Sequence, residues 1–294
     1  MKKEIIIYSQ FSEETWIQFL ESKRLQKNYI IALLEIEIDL QFIQTFQIVS
    51  LACLIEEYSQ AGIPIRFIRN NSLADEYLRY IHFFDYWTQG FDRNAFTRSG
   101  KNTTLALWKI DQSRITTYAD ESQKYFENLF FIGKDLSSLH IALMEVFNNI
   151  YDHAQSAIEG FALTQYYPKT QRMNIAICDF GVGIPTKINT IWAKQSRKPM
   201  SDQDALRAAF FNRLSTQTTP QNRGFGLSNL LGNIRNIKGD LSVYSNRAMI
   251  HFINSNVNYR GLTAYLQGTL VRFSFDPNNL PEIEPAIDNE EYFF

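Results

Sequence analysis

The sequence predicts an α/β protein in two parts, a small α/β unit followed by a larger α+β two-layer sandwich. Three observations predict this. Between residues 29 and 84, strand-like and helix-like stretches alternate, as in a small α/β sandwich. From residue 133 onward, helical and strand-like stretches are grouped rather than strictly alternating, which suits an α+β sandwich. Between them, 88–118 is more polar, contains Gly90 and the loop "RSGKNTT", and reads as a connector with a strand or two. The expected divisions are an α/β unit at 1–95, a connector at 96–130, an α+β unit at 131–276 and an acidic tail at 277–294.

In the first unit, "YIIALLEIEIDL" (29–40) carries β-branched residues in partial alternation and predicts a strand. "FQIVSLACLIEEYSQAG" (46–62) has apolar residues at helical spacing and a helix stop at Gly62. "IPIRFI" (63–68) alternates with period two and predicts a strand. "SLADEYLRYIHFF" (72–84) predicts a helix capped by Ser72, with Asp75 and Glu76 in its first turn. In the second unit, 133–156 reads as a helix and "MNIAIC" (173–178) as a compact apolar strand. A polar stretch covers about 186–223. "RGFGLSNLLGNIRNIKGD" (223–240) is a glycine turn entering a helix that stops at Gly239. "LSVYSN", "AMIHFIN" and "GTLVRFSF" follow as three strands.

Composition narrows the function classes. The chain has 294 residues, 45% of them hydrophobic, and a net charge of −2. No bulk charge draws it to nucleic acid or an anionic membrane. The opening "MKKEIIIYSQ" has an apolar run too short for a signal peptide, and no segment reaches the roughly 18 apolar residues of a membrane helix. Cys53 and Cys178 are the only cysteines. A disulfide framework or a Cys/His zinc site is not expected, and a reducing cytoplasm fits.

The stretch "EVFNNIYDHAQS" (145–156) sets polar groups in an apolar run. Glu145, Asn149 and His153 stand at i, i+4 and i+8, on one face of a helix. The other faces carry Leu143, Met144, Val146, Phe147, Ile150 and Tyr151. A helix this apolar is mostly buried, so the stripe needs partners, water or a ligand. Taken alone, a buried polar network between helices accounts for it as well. Asp152 is expected to face outward or to cap locally, and is not counted in the site. "CDFGVGIP" puts Asp179 just past a strand end, followed by Gly181 and Gly183. Glycines let backbone approach a flat or charged group, and a buried carboxylate beside them can accept a hydrogen bond from an exocyclic amine such as adenine's. "NRGFGLSNL" puts Gly224 and Gly226 at the mouth of a helix, where free amides form an anion site. Each glycine pair alone is common punctuation; the ordered set is specific.

That set resembles the nucleotide-binding domain of the GHKL ATPase superfamily, shared by DNA gyrase, a heat-shock chaperone, histidine kinases and a mismatch-repair protein. The resemblance covers about residues 130–276. Glu145-x-x-x-Asn149-x-x-x-His153 is similar to the family's N box. Asp179-x-Gly181-x-Gly183 is similar to its first glycine box, and Gly224-Phe225-Gly226-Leu227 to its second. "GTLVRFSF" (268–275) resembles the closing strand. The resemblance implies a two-layer Bergerat-type sandwich that binds ATP with Mg²⁺. It implies that Asn149 holds the metal against the phosphates, that His153 belongs to the same nucleotide-binding set, and that Glu145 is a general base. It further implies that Asp179 reads the adenine amine and that backbone amides at Gly224, Gly226 and Leu227 cradle the phosphates. The stretch 186–223 corresponds to a mobile lid over ATP, from which Arg213 or Arg223 could reach the phosphates.

Among branches of that family, sensor histidine kinases carry a phosphoacceptor histidine. His140 lies within the N-box helix and His82 in "YIHFFDYW", and neither context resembles a phosphoacceptor box. Gyrase-type proteins carry a transducer domain after the ATP site, whereas only about 20 acidic residues follow the last strand here. "EVFNNIYDHA" is nearest to the anti-sigma-factor serine kinases, and 38–68 resembles a STAS domain, the fold of their antagonists. Those antagonists carry a phosphorylated serine at a turn where this chain offers only Gln44-Thr45. The expected activity is an ATP-driven switch, with protein serine/threonine kinase and binding-only module as alternatives. The expected partners are a nucleotide, a regulatory protein and a second copy of the chain as a homodimer, with no nucleic acid and no membrane.

Overall fold

The computed structural model describes residues 2–25, 31–92, 99–111, 113–153, 158, 160–211 and 226–283, with the side chains of 149–153 and 226 left aside. The chain is a mixed α/β protein with two sheets. Strands β1 (Lys2–Ile7), β2 (Leu33–Ile38) and β3 (Ile65–Ile68) form a parallel sheet in that order. Strands β4 (Trp108–Ile110), β5 (Gly160–Tyr167), β6 (Arg172–Asp179), β7 (Asp240–Ile253) and β8 (Asn256–Phe275) form an antiparallel sheet in the order β4-β5-β6-β8-β7.

Helices α1 (Glu13–Lys23), α2 (Thr45–Gln60) and α3 (Leu73–Tyr80) interleave with the parallel strands. Ser12 caps α1 by accepting from the Thr15 amide, and Ser72 caps α3 by accepting from Asp75. Helix α2 is buried along most of its length, from Thr45 to Glu56 and at Tyr58. It packs on β3 on one side and on β5, β6 and β8 on the other. One apolar cluster therefore runs from Ile5, Ile36 and Leu54 into Phe161, Ala176, Cys178 and Leu270. The two sheets therefore share one core.

The opposite face of the five-stranded sheet carries α4 (Ile115–Leu129), α5 (Ser137–His153) and α8 (Gly226–Asn236). Leu139, Leu143, Phe147, Leu230 and Ile234 join Ile175, Ile177, Val243 and Val271 there in a second cluster. The molecule is thus layered sheet, helix, sheet, helix. Helix α1 lies on β8 with its acidic residues paired to the hairpin. Glu13 reaches Arg272, Tyr244 and His251, and Glu14 reaches Arg260 Nη2 at 3.0 Å.

Several expectations change. Helix α4 occupies the second half of the expected connector, and β1, α1 and β5 add elements to the expected set. "LSVYSN" and "AMIHFIN" are one strand, β7, bulged around Asn246. Much of the stretch expected to be a lid is helix: α6 (Ile184–Lys194) and α7 (Asp202–Phe211) pack on each other, and α7 also packs on β7. Pro185 in the first turn of α6 and Ala205, Leu206 and Phe210 buried on α7 explain why these segments fold despite their polar surroundings. Residues 212–225 lie outside the described residues. No helix among the described residues is long and apolar enough to cross a membrane.

Candidate functional site

Strand alternation fixes which way the first glycine motif faces. Ile175 and Ile177 on β6 belong to the cluster under α5 and α8, whereas Ala176, Cys178 and the following Phe180 belong to the cluster under α2. With side chains alternating across a strand, Asp179 falls on the α5/α8 face, at the C-terminal end of β6. It pairs in register with Thr269 of β8, which pairs with Ser245 of β7.

Two chain connections bring the other motifs to that same end. The Asp135 amide, just before α5, donates to the Pro281 carbonyl at 2.9 Å. Pro281 follows the end of β8, where Phe275 pairs with Met173 at the start of β6. Helix α5 therefore starts at the Met173 end, and its C-terminal half, Glu145 to His153, runs toward Asp179. Helix α8 ends in the turn leading to Asp240, which pairs with Ser274 at that Met173 end. Its N-terminus, Gly226, consequently lies at the Asp179 end. Glu145 is half-buried on α5. Leu227 is partly buried against Ile188 and Ala205 of α6 and α7. Asn149 and His153 lie on α5 by backbone, with side chains outside the described residues, as are Gly224, Phe225, Arg213 and Arg223 altogether.

Asp179 is 1% exposed. Its Oδ1 accepts from the Gly181 amide at 2.7 Å. Burial pushes its carboxyl up to about 7, against the pull of backbone bonds from Gly181 and Thr269. A group poised there changes charge readily when a donor arrives. Glycine is needed twice around it. Gly268, at φ +87, presses on the turn so closely that a Cβ would stand 2.2 Å from the Asp179 carbonyl oxygen. Gly183, at φ +81, begins α6, and a Cβ there would stand 2.1 Å from Asn246 Oδ1. The α6 N-terminus is held by Ser245 Oγ, which accepts from the Ile184 amide at 2.9 Å and donates to the Gly268 carbonyl at 2.7 Å.

Asn246 Nδ2 donates to Thr186 Oγ1 at 2.7 Å, while its Oδ1 is buried with no hydrogen-bond partner among the described residues. Asp179 and Asn246 are thus buried acceptors at one end of the sheet, an arrangement that suits a ligand carrying amine or hydroxyl donors. Sequence reading missed Ser245, Asn246 and Thr269. The available signal was the polar break "SNR" inside an apolar strand, which marks a bulge at positive φ (54° at Asn246).

Among the described residues no three His, Cys, Asp or Glu side chains converge on a metal-sized site. Of the other residues considered, Thr45 is 3% exposed and begins α2, so it is not an open phosphorylation site. His140 Nε2 stands 2.9 Å from Asp120, and His82 Nδ1 is 2.7 Å from Asp85. No protein-family model and no curated protein matches this chain.

Proposed function

We propose that this chain is an ATP-binding regulatory protein of the GHKL class, with a STAS-like N-terminal unit, that uses Mg-ATP to switch its interaction with a partner protein. The single observation that supports the reading is the convergence at one end of the five-stranded sheet. By strand register the C-terminal half of α5, the Asp179 turn and the start of α8 lie toward that end, and the sequence carries their motifs in the order that the family resemblance implies. In this reading Asp179 accepts from the adenine amine, the α8 N-terminus faces the phosphates, Asn149 holds Mg²⁺ and Glu145 takes a proton from the attacking hydroxyl.

The experiment is titration calorimetry of the whole chain with ATP, ADP and a non-hydrolysable analogue, with and without Mg²⁺. Saturable heat that depends on Mg²⁺ is expected; no heat with any of the three removes the reading. A second reading, phosphotransfer to a serine or threonine of a separate regulator, is favoured by "EVFNNIYDHA" and its likeness to anti-sigma-factor kinases. Release of inorganic phosphate by the chain alone points to the first reading, and transfer of label to a candidate regulator points to the second.

A further inference from the structure

The Asp179 turn is gripped from behind by the N-terminal unit. Arg24, the residue that ends α1, lays its guanidinium over the Phe180 ring, 4.3 Å from its centroid. That guanidinium is itself held by Glu57 of α2: Nε donates to Oε2 at 2.7 Å and Nη2 donates to Oε1. Glu57 Oε2 also accepts from the Leu25 amide at 3.2 Å, which ties the end of α1 to α2. One residue before the turn, Cys53 of α2 donates its thiol hydrogen to the Cys178 carbonyl at 3.2 Å. Gln267 Nε2 holds the Phe180 carbonyl at 3.1 Å. Phe180 is 3% exposed and lies between Asp179 and Gly181, whose amide fixes the Asp179 carboxylate.

We infer that Arg24 is a positioning residue for the Asp179 carboxylate, and that the N-terminal unit is the rear wall of the nucleotide site. This rests on the ATP-binding reading. The physical argument is short. Phe180 and Asp179 point to opposite faces of the sheet, so a ring free to turn frees the backbone between them. A functional side chain must be held to about 0.5 Å and 10–20° to work. The planar fork of arginine, paired bidentately with Glu57 and stacked on the ring, supplies that restraint in a way a lysine does not. Anything that shifts α1 on α2 would then be felt at Asp179 through one side-chain stack, making the N-terminal unit a route by which a partner could alter nucleotide affinity.

The test has two arms on the full chain. In the first, hydrogen exchange of the segment 178–184 is measured in the parent, Arg24→Met and Arg24→Lys. Faster exchange confined to that segment is expected in Arg24→Met, with a smaller rise in Arg24→Lys and α5 unchanged. In the second, Mg-ATP affinity per folded molecule should fall about three- to thirtyfold in Arg24→Met, the range set by a cation–π contact. It should fall less in Arg24→Lys, and adding Glu57→Gln should not add its full effect. Unchanged exchange at 178–184, or a rise spread evenly over the chain, overturns the positioning role. If the parent binds no nucleotide, the ATP reading fails while the exchange arm still decides what Arg24 does. If Arg24→Met does not fold, Arg24→Lys carries both arms.

Discussion

Helices α2 and α5 cover opposite faces of the same sheet and treat their polar residues differently. On α2, Gln47, Ser50 and Glu56 are wholly buried. Ser50 accepts from Trp16 Nε1 at 2.8 Å and donates to the Phe46 carbonyl, and Glu56 accepts from Trp87 Nε1 and Gln60 Nε2, each at 2.9 Å. Ser50 and Glu56 thereby tie α2 to α1 and to the segment at Trp87, while Gln47 Oε1 accepts from the Gln44 amide at 2.9 Å and its Nε2 is buried with no hydrogen-bond partner among the described residues. On α5, Glu145 is half-buried and lies toward the end of the sheet where β6 stops and α6 and α8 begin. In the proposed reading, a polar stripe in an apolar helix has two meanings, and position relative to the strand ends distinguishes them.

The largest expected effect sharpens that contrast. Glu145→Ala should cut turnover by about 10²–10⁴ while keeping nucleotide, and Asn149→Ala should lose Mg²⁺-dependent binding as well. Glu56→Gln on α2 should leave both unchanged. Phosphate release and calorimetry on the three variants decide it; equal loss of binding in Glu145→Ala and Asn149→Ala would contradict the roles.

Next in size is the core that α2 shares between the sheets. Leu54 is fully buried, and Leu54→Ala should destabilise the chain by about 2–5 kcal/mol. Unfolding followed by tryptophan fluorescence and by circular dichroism should give one coincident transition for parent and variant. Two separated transitions would break the picture of a common core.

Asp179 makes the third prediction, in which stability and function move oppositely. The carboxyl titrates near 7 in the fold against an ordinary 3.8. Between about pH 4 and pH 7 the unfolded chain has released this proton and the folded chain keeps it. Its contribution to stability therefore falls as pH rises through that window and levels off above about 7. Asp179→Asn should flatten that slope and raise stability at pH 8 by on the order of 1–2 kcal/mol. It should weaken ATP binding by on the order of tenfold or more. If Asp179 reads the adenine amine as proposed, affinity in the parent should rise with pH through about 7, because the ionised carboxylate is the stronger acceptor. Melting curves and titrations at pH 6 and pH 8 test both halves; an unaltered slope in Asp179→Asn would make its burial irrelevant.

The smallest effect belongs to the exposed pairs under α1. Glu14→Ala removes the contact to Arg260 and should change stability by less than about 1 kcal/mol. A larger loss in urea titration would mean that the seam, rather than the apolar core, holds the two parts together.

These differences also explain what the sequence disclosed. Helices α2, α3, α5 and α8 and strand β6 were legible because their apolar spacing or stop signals are local: Gly62 after α2, Ser72 before α3, Gly239 after α8. Helix α1 was not, because it buries only Trp16, Ile17 and Leu20 and gives Glu13, Glu14 and Glu21 to arginines of the hairpin. Those partners lie far along the chain. Helix α4 buries Ile115, Tyr118, Ala119, Ser122 and Phe126 at helical spacing, yet Arg114 before it offers no capping side chain. Strand β5 is buried on both faces from Gly160 to Gln165 and so lacks alternation. At the site, Glu145, Asp179 and the glycines could be picked out by spacing. Ser245, Asn246 and the grip of Arg24 on Phe180 could not, since each depends on register between distant strands.

The burial of α2 against β6 and β8 has a consequence for how the chain is made. Residues 45–60 leave the ribosome well before 172–179, and at about 5–20 residues per second the interval is roughly 6–24 s. Throughout that time the nascent chain carries an apolar helix with one side uncovered, far longer than the microseconds a helix needs to form. Residues 1–92 expressed alone should therefore self-associate, and a monodisperse fragment in light scattering would show that this side can be covered by other means. That side stays incompletely covered until β8, the last strand, takes its place between β6 and β7.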